Sequence, residues 1–148
     1  MHSQRRNIRN PLPRTDERRG ASAVEMAMVL PIFLLVLMGM VEFGRALMVG
    51  QLVTNAAREG ARMAILDGSS TSSVKTSIQS FLSGAAGVSA SDITVTATVG
   101  GATKDISAAQ PKDMVAITVT IPFSKVSYLP PTFLKSTTLR GSSSMRHE

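Results

Sequence analysis

The sequence predicts an α+β chain. A long N-terminal transmembrane helix continues into an amphipathic helix, and a small exported head follows, with an antiparallel β-sheet of about three strands and one packed helix. Three observations predict this. Residues 20–41 form an apolar run with Glu25 as its only charge. Residues 42–66 hold no proline and repeat apolar residues at helical spacing. Residues 92–99 and 114–121 alternate apolar with polar or small residues, as half-buried strands do. A length of 148 residues allows one small domain and an added element, not two full domains.

The net charge of +6 is unevenly placed. Residues 1–19 hold Arg5, Arg6, Arg9, Arg14, Arg18 and Arg19 against Asp16 and Glu17, which leaves little excess for the rest. A nucleic-acid domain would spread basic residues along a structured face. This stretch has Asn-Pro and Leu-Pro steps and no apolar stripe, so it reads as an unstructured, cytoplasmic basic leader and not as a nucleic-acid partner.

At about 1.5 Å per residue, residues 20–41 give roughly 33 Å of helix, enough to cross a hydrocarbon core of about 30 Å. Nine residues from Val29 to Val41 are Leu, Ile, Val or Phe. Together they favour insertion by roughly 3–5 kcal/mol, against at most about 2.5–3.5 for one midplane charge. Glu25 lies near one end and costs less, so insertion wins. Pro31 is expected to kink the helix, and a spanning helix tolerates it. Six arginines precede the span, whereas only Arg45 and Arg58 follow within twenty residues, so the N-terminus stays cytoplasmic and the head is exported. A buried core helix of this length would need a larger soluble partner than the rest of the chain supplies. A removable signal peptide would need a better small-x-small site than Gly44-Arg45-Ala46.

Glu25 is the informative residue, since an ionisable group inside a span is a functional hypothesis by default. No Lys or Arg lies three or four residues C-terminal to it. One reading is a carboxylate snorkelling to the interface. The other is a partner on another chain.

Here the sequence resembles a family. Arg18-Arg19-Gly20-Ala21-Ser22-Ala23-Val24-Glu25 before an apolar span resembles the leader of type IV pilin-like proteins. Val41-Glu42-Phe43-Gly44-Arg45 and Asn55-Ala56-Ala57-Arg58-Glu59-Gly60-Ala61-Arg62 are similar to the TadE-like proteins, small pseudopilins of the tight-adherence (Tad/Flp) pilus system. Ser144-Met145-Arg146 is similar to that family's last strand. The resemblance implies cleavage between Gly20 and Ala21 by a prepilin peptidase at the cytoplasmic membrane, which makes Glu25 the fifth residue of the mature chain. It also implies pilins, pseudopilins and assembly-platform proteins as partners, besides membrane lipid. In such leaders an aromatic residue often follows the glutamate, and Met26 stands there. From physical chemistry, a new α-amine with a pKa of about 7.7–8.0 would be cationic and would pair with the Glu25 of a neighbouring subunit, fixing axial register.

The amphipathic extension, residues 42–67, presents Leu52, Val53, Ala56, Ala57, Ala61, Ala64 and Ile65 on one face. Glu42/Arg45 and Glu59/Arg62 read as i,i+3 pairs on the wet side, each contributing a few tenths of a kcal/mol. Arg58, Glu59 and Arg62 are either a solvated helix face or a subunit contact. Asp67-Gly68 is expected to end the helix. Ser69–Ser73 reads as a polar linker, and the head occupies residues 74–148. In it, Val74, Ile78, Phe81 and Leu82 form a core stripe that ends at Gly84 or Gly87. Strands are expected at Asp92–Val99, Met114–Ile121 and, with weaker alternation, residues 136–146.

No catalytic constellation emerges. There is no Cys, and His2 and His147 sit at opposite ends. Asp67, Asp92, Asp105 and Asp113 lie in turn-like surroundings. Gly100-Gly101-Ala102-Thr103-Lys104 lacks the spacing of a phosphate loop and reads as a hairpin loop. The expectation is a non-enzymatic chain without cofactor or metal. The alternative is a signal-anchored exported binding module that never joins a pilus.

Overall fold

The computed structural model describes residues 15–66 and 68–147, with side chains from residue 20 onward. Residues 1–14 of the basic leader, Asp67 and Glu148 lie outside the described residues. Among the described residues, besides three short 3-10 turns, the elements are two α-helices, α1 (Thr15–Ala64) and α2 (Thr71–Ala86), and three strands, β1 (Thr94–Val99), β2 (Met114–Pro122) and β3 (Thr138–Arg146). The class is α+β, as the sequence predicts.

Helix α1 begins at Thr15, so residues 15–19 are helical where the sequence suggested an unstructured leader. In the sequence, Thr15 followed by Asp16 and Glu17 is a pattern that favours a helix start. The helix runs through Pro31 without a break. The chain divides into two units between Met38 and Gly39. In the first, every residue from 20 to 38 is exposed. So much apolar side chain in contact with water would be costly, and lipid is the solvent that suits it. Among the described residues, one helix is long and apolar enough to cross a membrane, Gly20–Ala64.

The second unit holds the rest of α1 and the head. Here α1 turns one face inward: Val49, Val53, Ala56, Ala57, Ala61 and Ala64 are buried. The helix ends two residues earlier than expected. Leu66 donates its N–H to the Met63 carbonyl at 3.2 Å, and the Ser69 hydroxyl donates to the same carbonyl at 2.6 Å. Gly68 is left-handed, φ 79°, but it lies four residues past Ala64 and is not the residue that ends the helix.

Ser69–Ser73 is not all linker. Ser70 caps α2: its Oγ accepts from the Ser73 N–H, and its own N–H donates to the Ser73 Oγ, both at 3.2 Å. This capping box with Ser in place of Glu starts the helix at Thr71. At the other end Gly87, φ 67°, donates its N–H to the Ser83 carbonyl. The buried stripe of α2 is Val74, Ile78, Leu82 and Ala86, a repeat of four that leaves Phe81 half exposed on the flank.

The sheet order is β1-β2-β3, antiparallel throughout. Central β2 pairs Thr120 with Thr94 on one side and Met114 with Arg146 on the other. Val115, Ile117, Val119 and Ile121 are fully buried, while Ala116, Thr118 and Thr120 look towards the other face. After β1 the chain turns through Gly100 (φ 59°) and Gly101 (φ 83°), with Val99 and Ala102 exchanging N–H···O bonds of 2.8 and 3.1 Å. Two positive φ values at the central positions require glycine there. The expected hairpin loop is thus a tight turn, followed by an excursion through residues 103–113.

Both helices contribute to one hydrophobic cluster on the inner face of the sheet. Small residues let α1 approach closely. A Cβ on Gly60 would meet Ile78 and Ile117, and one on Gly141 would meet the backbone of Val53 and Thr54.

Candidate functional site

Functional side chains on α1 fall into three groups along the helix. Gly20 and Ala21 lie within regular helix and are exposed. Glu25 is exposed one turn further on, among apolar neighbours that are exposed too.

The second group is the one that residue spacing misassigned. Glu42 and Arg45 were expected to pair with each other on the wet side. They are instead buried, at 7% and 8% exposure, and each holds backbone of the head. The Glu42 carboxylate accepts N–H bonds from three consecutive residues: Thr132 at 3.2 Å, Phe133 at 3.1 Å and Leu134 at 2.6 Å. Burial pushes the Glu42 carboxyl up, but the three amide donors outweigh it and hold the group below its ordinary range. The Arg45 Nε donates to the Val126 carbonyl at 2.9 Å, and Nη2 donates to the Ala86 carbonyl at 2.6 Å. The guanidinium lies 4.2 Å from the centroid of the Tyr128 ring.

Two charges on one helical turn therefore fasten the end of α2 and the segment 126–134 to α1. An ionised group bonded to backbone N–H or C=O satisfies both sides of the contact, which is what makes its burial tolerable. The available signal was the run Val41-Glu42-Phe43-Gly44-Arg45, whose two charges sit at the first turn after the span. Helical spacing favoured a pair between them, and nothing local pointed to carbonyls and amides 41 to 92 residues away.

The third group is Arg58, Glu59 and Arg62, all exposed on α1. Among the described residues the Glu59/Arg62 pair does not form an ion pair; the salt bridge present is Lys125–Asp92, at 3.3 Å. Glu59 stands at the rim of an open cleft of about 380 Å³ between α1 and α2, lined also by Asn55, Ala56, Met63, Ser77, Ile78 and Phe81. Arg58 and Arg62 are not part of that lining. The structure thus places the predicted residues on one helix without gathering them into a single pocket.

In comparison with known proteins, the model of the TadE-like protein family matches residues 20–62. The match takes in Glu25, the Glu42/Arg45 turn and the Arg58–Arg62 face, and it stops before α2 and the sheet. No curated protein and no solved structure matches the chain.

Proposed function

We propose that this chain is a TadE-like minor pilin or pseudopilin, a non-enzymatic subunit in the assembly of a Tad/Flp-type pilus or a related secretion apparatus. The observation that carries the reading is one continuous helix with an exposed apolar N-terminal part, whose residues 20–62 match the TadE-like model. In this reading residues 20–41 cross the cytoplasmic membrane once, with the leader inside and the head exported. A prepilin peptidase cuts between Gly20 and Ala21. Gly20 eases access, because glycine stabilises a helix by about 1 kcal/mol less than alanine and lets that turn open. The cut creates a cationic α-amine at Ala21. Glu25 then pairs with the α-amine of an adjacent pilin helix, and the small residues Ala21, Ser22, Ala23 and Ala27 allow the two backbones to approach. Arg58, Glu59 and Arg62 lie where a neighbouring head or an assembly-platform protein would meet α1.

Expression with and without a prepilin peptidase, followed by N-terminal sequencing, tests the reading. A mature chain beginning at Ala21 is expected only with the peptidase. An intact Met1 in both samples, with the protein absent from purified pili, would instead favour a signal-anchored binding module.

A further inference from the structure

The segment 126–134 is held at its backbone and at its two ends, where Val126 is buried in the core and Leu134 packs against it, while side chains between them stay open. Glu42 holds the amides of residues 132–134 and Arg45 holds the Val126 carbonyl, so this strap has a defined path. The Phe123 N–H also bonds to the Thr137 carbonyl at 2.8 Å, closing its base. Yet Tyr128 is 70% exposed, and Leu129 and Phe133 are exposed as well. On the Phe133 side α1 exposes Met40 (71%), Phe43 and Leu47 (71%), an apolar stripe at i, i+3 and i+7. The Phe133 ring stacks on Phe43 with centroids 6.5 Å apart. An ordered apolar patch of this kind marks an interaction surface.

Its level along the helix identifies the partner. The strap is tied to residues 42 and 45, which follow the span by one and four positions. At about 1.5 Å per residue it therefore lies within roughly 6 Å of the hydrocarbon edge. Headgroup layers add about 5–7 Å on each side of the core, so the strap occupies that layer. Its composition suits the place. Tyrosine offers an apolar ring and a polar tip, as residues at the bilayer interface do. Pro130 and Pro131 bring no N–H that would need a partner where water is scarce. Lys135, at the end of the strap, is exposed and suited to reach lipid phosphate.

We propose that the strap is a membrane-seating surface: Tyr128, Leu129 and Phe133 enter the headgroup–acyl boundary of the leaflet beneath the head and set the depth at which the head rests. The inference rests on residues 20–41 spanning the bilayer, and the test separates the two claims. The protein contains no tryptophan, so a single introduced Trp is the only such reporter. Three full-length variants are reconstituted in phosphatidylcholine/phosphatidylglycerol liposomes whose acyl chains are brominated near the headgroup or near the chain end. Phe33→Trp reports the span, Tyr128→Trp the strap and Met114→Trp the far end of β2. Tyr128 is exposed, and tryptophan keeps the cation–π contact with Arg45, so the fold is preserved.

The expected result is Phe33→Trp quenched by deep bromine and Tyr128→Trp quenched by shallow bromine at a fitted depth of about 15–22 Å from the midplane. Met114→Trp remains unquenched. Three outcomes overturn the proposal. If Tyr128→Trp ignores lipid bromine but is quenched by aqueous acrylamide, the strap faces water. If it is shielded from both quenchers, another protein copy covers it. If Phe33→Trp escapes lipid quenching, the span itself fails.

Discussion

A single methyl group at Gly141 tests how α1 carries the sheet. A Cβ built there falls 2.8 Å from the Thr54 Cα, 2.8 Å from the Val53 carbonyl oxygen and 2.9 Å from the Thr54 nitrogen. Ordinary contact begins near 3.4 Å, so β3 and α1 must separate by about 0.6 Å. Every atom in the way is backbone, and no rotamer change relieves the clash. Overpacking of this kind costs about 1–3 kcal/mol, and the stiffer unfolded chain of an alanine variant returns about 0.4–1 kcal/mol. The balance for Gly141→Ala is a loss of about 1.5 kcal/mol, or roughly 0.5–1.5 M in urea midpoint for a slope of about 1–3 kcal/mol/M. Gly60→Ala is the control. Its nearest obstacle is the Ile78 Cδ1, the far end of a side chain, at 2.5 Å. Displacing Ile78 from its rotamer costs about 0.5–1.5 kcal/mol, which the helix propensity of alanine, about 1 kcal/mol better than glycine, offsets. Pulse proteolysis across a urea series, on the full chain in detergent, measures both. Equal midpoints for the two variants, or a Gly141→Ala midpoint matching the parent, would refute close backbone packing of β3 on α1.

Three further outcomes are expected. Because the folded-state pKa of Glu42 is depressed, its contribution is fully present above the ordinary carboxylate range, near 4.5, and is lost as pH falls through the lower folded value. Hydrogen-exchange protection of the amides of residues 132–134, corrected for intrinsic rate, should fall over that acid window, and Glu42→Gln should be weakly protected at every pH. Leu82→Ala should cost about 2–5 kcal/mol in urea unfolding and the exposed Phe81→Ala under about 1 kcal/mol, whereas similar losses would mean that Phe81 is core after all. Glu25→Gln should leave membrane insertion unchanged, as read by carbonate extraction, and reduce incorporation into pili. Normal incorporation would remove Glu25 from any role in register.

What the sequence revealed is what periodicity encodes. Strand β2 was legible because Val115, Ile117, Val119 and Ile121 alternate strictly with smaller or polar residues, and a strand buried on one face has no other arrangement. The inner face of α1 was legible through its alanines, which repeat at helical spacing. The phase of α2 was half legible: a large Phe81 outweighed a small Ala86 in the reading, although the stripe of every fourth residue passes through Ala86. Gly141 stands in a serine-rich strand whose alternation is weak, and nothing in its sequence neighbours marks it. Its meaning lies in the backbone that faces it, from an element 87 positions earlier, and no local pattern carries that. The same reason hid the roles of Glu42 and Arg45.

The choice of partners for those two residues bears on how the rod and the head divide their work. Glu42 and Arg45 bind amides and carbonyls, which every non-proline residue offers, so they fix the path of segment 126–134 through its backbone, while Val126 and Leu134 pack on the core and the Tyr128 ring lies against Arg45. The side chain of Leu129 is thereby released from the task of holding the head on, and Phe133, which stacks on Phe43, keeps about half of its surface uncovered. Had the strap been held by burying those side chains in the core, apolar residues there would be explained by folding and would say nothing about the surroundings. Since folding leaves Leu129 and about half of Phe133 uncovered, that remaining apolar surface answers to something outside the molecule. If residues 20–41 span the bilayer as proposed, the place of these side chains beside the next turns of α1 makes the lipid surface the nearest apolar medium available to them.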